Sequence, residues 1–180
     1  MSPMDTGSRI ITAGGRRVAI GSHAGKTVYL AADHRGFALK QWLRGRLRRL
    51  GWKVVDTGAH SPARTDYPLV TLRAARRVGP GEGRRAVAIG LCGSGIGVCI
   101  VAAKVPGVHP TSPLSVAAAR ETRSHNNTNF LGLSADTLSR QKALAIALAW
   151  LREPFYGDPI RDAPYLRRFL QTARLDGPRK

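Results

Sequence analysis

Acid is the scarce charge in this sequence: 11 Asp and Glu stand against 29 Lys and Arg in 180 residues, a formal net charge of +18. Such a sum points first to nucleic acid or another polyanion. Aromatic residues, at 6%, are too sparse to interleave with the basic ones as base-stacking motifs require, so nucleic acid is disfavoured as a partner. Six of the 29 basic residues are Lys and the rest Arg; an Arg-, Ala- and Gly-rich chain is what high-GC coding produces. Two cysteines exclude a disulfide framework. No apolar run reaches the ~18 residues of a membrane span. The first residues lack the basic-then-apolar pattern of a secretory signal, so a cytoplasmic protein without a membrane partner is expected. The five histidines (23, 34, 60, 109 and 125) show no ligand spacing, so neither a metal nor another cofactor is expected.

What the sequence does have is alternation. Hydrophobic residues make up 43%, enough for one domain with its own core. Residues 1–26, rich in Gly, Ser and Arg with one apolar run at Val18–Ile20, read as a mostly loose N-terminal extension. Residues 27–175 hold the domain and 176–180 a short tail. Strands are predicted at Thr27–Ala32, Lys53–Thr57, Ala86–Leu91, Val108–Thr111 and Asn129–Leu133. Helices are predicted over Gly36–Leu50, Tyr67–Val78, Gly95–Val105, Pro113–Ser124, Leu138–Leu151 and Pro164–Ala173. In the first helix Leu39, Leu43, Leu47 and Leu50 form one stripe and Lys40, Arg44 and Arg48 another. This alternation predicts an α/β fold, a parallel sheet of about five strands flanked by helices on both faces. In such sheets ligands sit outside the carboxyl ends of the strands, near the point where strand order reverses.

The residues following the strands are therefore the candidates. After the first come Asp33, His34, Arg35 and Gly36; Asp33 suits a helix cap, while His34 at such a corner suits proton exchange or donation to an oxygen. After the second come Thr65, Asp66, Tyr67 and Pro68, by spacing a capping cluster. After the third comes Cys92-Gly93-Ser94-Gly95-Ile96-Gly97, which lacks the spacing and the downstream acid of a dinucleotide fingerprint. Its glycines still let backbone N–H groups converge at a helix N-terminus, a nest for a phosphate or an oxyanion. Cys92 at its mouth is either a thiolate base or a small buried hydrophobe; Cys99 reads as the latter. The polar run from Arg123 to Asn129 is either a helix end, with Asn126 or Asn127 in the left-handed conformation, or a site in which His125 is a second acid–base group.

Five segments occur in order: Ala32–Phe37, Arg64–Pro68, Cys92–Gly97, Ala102–Lys104 and His125–Asn129. Together they resemble the type B ribose-5-phosphate isomerases, a family that includes the galactose-6-phosphate isomerases, over roughly residues 27–173. The resemblance implies a Rossmann-like three-layer sandwich and a metal-free aldose–ketose isomerase acting on a sugar phosphate. It also implies a homodimer, or dimer of dimers, with sites at the interface. It makes Cys92 the base, with Ser94 beside it in the catalytic loop. The Gly93, Gly95, Ile96 and Gly97 amides become holders of an enediolate oxygen, and His125 the ring-opening group. Asp33, His34, Tyr67 and Asn126 become sugar contacts.

The departures concern the phosphate. Relatives carry Arg where Asp136 stands here, which would turn attraction into repulsion, and an Arg-His-x-x-Arg-type segment where this chain has Pro164–Arg168. Arg161 and Arg168 are the candidates to rebuild a phosphate site. Two alternatives follow: a diverged isomerase for a different sugar, phosphorylated or not, or a non-catalytic polyanion-binding module.

Overall fold

The computed structural model describes residues 9–13, 16–79 and 86–175. A hairpin of β1 (Arg9–Ala13) and β2 (Arg16–Ile20) leads into β3 (Thr27–Ala32), α1 (Phe37–Arg49), β4 (Lys53–Asp56), α2 (Tyr67–Val78) and β5 (Ala86–Cys92). There follow α3 (Ile96–Ala102), β6 (Pro110–Thr111), α4 (Val116–Asn126), β7 (Phe130–Ser134), α5 (Arg140–Arg152) and α6 (Ala163–Arg174). Strands β3 to β7 form one parallel five-stranded sheet in the order β4-β3-β5-β7-β6. The chain starts the sheet at β3, adds β4 on one side and then β5 on the other. The order reverses between β3 and β5, and the crevice lies beyond their carboxyl ends.

Each face of the sheet is covered. Leu39, Leu43 and Leu47 of α1 and Ile146, Ala147 and Trp150 of α5 pack on Val28, Leu30, Ile89, Leu131 and Leu133. On the other face Val70, Ala74 and Val78 of α2 and Val98 and Ala102 of α3 pack on Ala31, Ala88 and Phe130. Every residue of β5 is buried, as a near-continuous apolar run in a two-sided parallel sheet requires. The basic stripe of α1 is a clasp on β4: Lys40, fully buried, pairs with Asp56, Arg44 pairs with the same carboxylate, and Arg48 donates to the Val54 carbonyl.

Most boundaries shift by one or two residues from expectation, and three shifts have a visible cause. The strand expected from Val108 shrinks to Pro110–Thr111, because Val108 N–H turns back to Val105 and His109 N–H is taken by the Asn129 side chain. The helix expected from Pro113 begins at Val116, since Ser115 caps it by accepting the Ala118 N–H. Helix α3 ends at Ala102 in two tight i→i−3 turns.

The larger correction is to residues 1–26. Among those described, 9–13 and 16–20 pair as an antiparallel hairpin rather than lying loose. Ile20 is buried with Phe155 and Leu166, partly buried Ile11 and Ala13 join them, and the Phe155 N–H donates to the Gly21 carbonyl. Scattered apolar residues escape a periodicity reading, but α6 and the segment before it offer them a surface. Beyond the hairpin His23 is buried against the Trp150 ring, its Nε2 3.2 Å from the Thr128 carbonyl oxygen. Lys26 is buried too, and fully buried Arg123 donates to the Gly21 carbonyl. Burial, together with the Arg123 charge, pulls Lys26 down to about 7 and His23 well below its ordinary value.

Candidate active site

The crevice is built from three loops. After β3, Asp33 Oδ1 accepts the Gly36 N–H at 2.9 Å, a turn-capping role. Gly36 lies so close to β5 that a Cβ there would stand 2.6 Å from the Leu91 carbonyl oxygen. The corner holding Asp33, His34 and Arg35 is thereby pressed onto the end of β5. His34 Nδ1 lies 3.1 Å from the Thr65 carbonyl oxygen and 3.4 Å from the Thr65 nitrogen, tying this corner to the loop after β4. Asp66 occupies the N-cap of α2 without a side-chain cap bond.

After β5 comes the glycine loop. Cys92 is 4% exposed, and its Sγ accepts the Gly95 N–H at 3.2 Å. Gly95 has φ +76°, and a Cβ there would come within 2.8 Å of Ser112 Oγ and 2.9 Å of the β7 backbone, so conformation and space both demand glycine. Exposed Ser94 accepts the Ile96 N–H through Oγ at 3.2 Å. The Cys92 carbonyl accepts the Ala135 N–H, and the Gly93 carbonyl accepts from Ser134 Oγ and Asp136 N–H. The loop after β7 thus ties back the carbonyls of the nest. Tyr67 closes one wall, its ring carbon Cζ 2.9 Å from where a Cβ on Gly97 would stand. Cys99 is a different thiol, pushed up to about 12 by burial.

Sequence reasoning missed a residue here. Arg35 pairs with Asp136, and the pair lies on Gly93. Asp136 is therefore not the unopposed negative charge expected from its place in the sequence. The available signal was the basic residue beside His34 together with an acid, Asp136, in the loop after β7.

His125 and Asn126 stand elsewhere. They end α4, which leads into the amino end of β7, whereas Cys92 pairs with Ser134 at its carboxyl end. Four strand residues separate the two edges, about 13 Å along the sheet. Within one chain the two are not brought together. The His125 ring stacks on Tyr165 at 4.5 Å and 12°, with Tyr156 at 5.8 Å. Asn126 and Arg168 share a cavity of about 360 Å³ with His109, Thr122 and Phe169. Arg161 is spent on a bidentate pair with Asp162 and does not line that cavity. The rest of the polar run is structural: Asn127 is the left-handed C-cap at φ 53°, Thr128 Oγ1 accepts the Trp150 indole N–H, and Asn129 holds His109 and Gly107.

A buried thiol facing an amide nest at the switch point of an open α/β sheet is the equipment for moving a proton beside an oxygen that becomes negative. The family model described as Ribose/Galactose Isomerase matches residues 28–164. The chain is 37% identical over 133 residues to the ribose-5-phosphate isomerase B of Mycobacterium tuberculosis strain H37Rv, covering 73% of this chain and 81% of that one. It is 33% identical over 132 residues to the protein of that name from Escherichia coli K12, covering 73% and 87%. Ribose-5-phosphate isomerase B from Mycoplasma genitalium, solved with bound ribulose-5-phosphate, matches with a TM-score of 0.77 at 30% identity, covering 83% of this chain and 95% of that one. The chain belongs to the Ribose/Galactose Isomerase family.

Proposed function

We propose that this chain is an aldose–ketose isomerase interconverting ribose 5-phosphate and ribulose 5-phosphate. The observation that carries the reading is Cys92, a buried sulfur at the carboxyl end of β5 that receives the Gly95 amide in the crevice between β3 and β5. In the open-chain aldose, Sγ takes the proton from C2. The C–H electron pair becomes the C1–C2 double bond, and the carbonyl pair moves onto O1. The nest amides of Gly93 to Gly97 hold that oxygen. Cys92 returns its proton to C1 while the hydroxyl proton on O2 passes to O1, leaving the ketone at C2. Asp33, His34 and Tyr67 border the crevice as sugar contacts.

Ring opening needs a second group, and His125 with Asn126 comes from a second copy of the chain. The topology supports this, because the edge bearing His125 lies about 13 Å from the edge bearing Cys92. So do exposed apolar side chains beside the nest, with Leu69, Ile96 and Ile100 each more than half exposed. The test is isomerisation of ribose 5-phosphate by wild type and Cys92→Ser. The variant is expected to lose about 100-fold or more in kcat while still binding the sugar phosphate. Wild-type turnover in the variant sinks the base assignment; no turnover of any aldose phosphate by wild type sinks the reading itself.

A further inference from the structure

Arg35 stands at the crevice, against the glycine that follows Cys92. Its corner is fixed, because Gly36 is pressed onto Leu91 and His34 is tied to Thr65. Its guanidinium lies on Gly93, where a Cβ would stand 2.9 Å from Cζ and 3.0 Å from Nε. From the other side Asp136 reaches the same glycine: its N–H donates to the Gly93 carbonyl at 3.1 Å, and its Oδ2 accepts from the Arg35 guanidinium. The pair therefore bridges the loops after β3 and β7 across the end of β5, directly over the residue that follows Cys92.

The side chains of Arg35 and Asp136 are 58% and 41% exposed, and a pair that exposed contributes little to folding. What it does is aim a guanidinium. Asp136 takes one donor of the fork. A guanidinium carries five in a fixed plane, and the remaining ones match the oxygens of a phosphate bidentately.

We propose that Arg35 is the specificity-determining residue for the phosphate of the substrate, with Asp136 as the positioning residue that holds its guanidinium over the crevice. The proposal rests on the isomerase reading above. It gives Asp136 a role opposite in sign to repulsion.

The test measures KM and kcat for ribose 5-phosphate, the inhibition constant of inorganic phosphate, and the calorimetric Kd of ribose 5-phosphate for the Cys92→Ser protein with and without Arg35→Ala. Arg35→Ala is expected to raise KM, Kd and the phosphate inhibition constant together by about 10- to 100-fold, the range of a charge-assisted hydrogen bond, with kcat changed only a few-fold. Asp136→Ala should give a smaller rise that does not add to that of Arg35→Ala. Asp136→Asn, whose amide oxygen still accepts, should restore most of the affinity. Unchanged KM and Kd in Arg35→Ala overturn the proposal. So does weaker sugar-phosphate binding with an unchanged phosphate inhibition constant, which would put Arg35 on the sugar. If wild type turns over no aldose phosphate and Cys92→Ser binds none, the isomerase reading falls and takes this proposal with it; turnover insensitive to Arg35 sinks the proposal alone.

Discussion

Lys26 offers a measurable consequence of burying a cation near Arg123. Its side chain is buried and has no ion-pair partner among the described residues, and the nearby charge is Arg123. A fall from the ordinary 10.5 to about 7 corresponds to on the order of 5 kcal/mol against the charged form. Replacing a buried charge with an apolar group of similar length recovers part of such a penalty, about 1–4 kcal/mol. Lys26→Met should therefore stabilise the protein, by about 2–4 °C in Tm per kcal/mol at this chain length. The sign with pH is fixed by linkage. Between pH 7 and 10.5 the unfolded chain holds the proton and the folded chain has released it, so wild-type stability rises with pH through that window. The penalty is complete below pH 7, and the advantage of Lys26→Met is largest there. Melting curves of both proteins at pH 6.5 and pH 10 decide it. An advantage equal at the two pH values, or a variant less stable at pH 6.5, would refute the burial of an unpaired ammonium.

His23 acts in the same direction at lower pH: buried and held well below 6.5, it is protonated first in the unfolded chain. Stability is expected to fall as pH drops below 6.5, and His23→Gln should flatten that slope in acid titrations followed by circular dichroism. Cys99→Ser should keep full turnover, because a thiol pushed up to about 12 carries no charge at working pH; a loss comparable to that of Cys92→Ser would move the base to the wrong cysteine. Gly95→Ala adds left-handed strain and a Cβ against the β7 backbone, together about 2–5 kcal/mol, readable by urea denaturation alongside lost turnover. If a dimer shares its sites as proposed, Cys92→Ser and His125→Ala, each inactive alone, should regain about a quarter of wild-type turnover when refolded together, one intact site in each mixed dimer; no recovery would place both groups of a site in the same chain.

Much of this was legible in the chain. Tyr67–Val78 and Thr27–Ala32 match their expected spans, because each has a clean period and a breaker at its boundary. The glycine loop after β5 was legible for the same local reason. What local pattern could not convey was which end of the sheet a loop serves. His125 and Cys92 both lie beside strand termini, but one precedes β7 and the other ends β5. The rule that ligands gather at carboxyl ends already separates them once strand direction is considered. The Arg35–Asp136 pair spans 101 positions, so reading either residue alone assigns it the wrong electrostatic role. The hairpin was hidden because its apolar side chains pack on Phe155 and α6, more than a hundred residues away in the chain.

That hairpin changes how the chain can safely be shortened. The family match begins at residue 28, which makes the preceding stretch look dispensable. Yet the Gly21 carbonyl receives the Arg123 guanidinium at 2.7 Å, and His23 fills the space beside Trp150 and Thr128. A protein cut at residue 27 would keep its whole sheet and all of Cys92's surroundings. It would leave the Arg123 guanidinium, two residues before His125, with Asn127 as its side-chain acceptor but without the Gly21 carbonyl, and a lost charged hydrogen bond costs about 1.5–3 kcal/mol. On the proposed reading that His125 serves a second copy of the chain, the trimmed enzyme would be injured first at that helix end, and its loss of turnover would be felt in the other copy's crevice before its own.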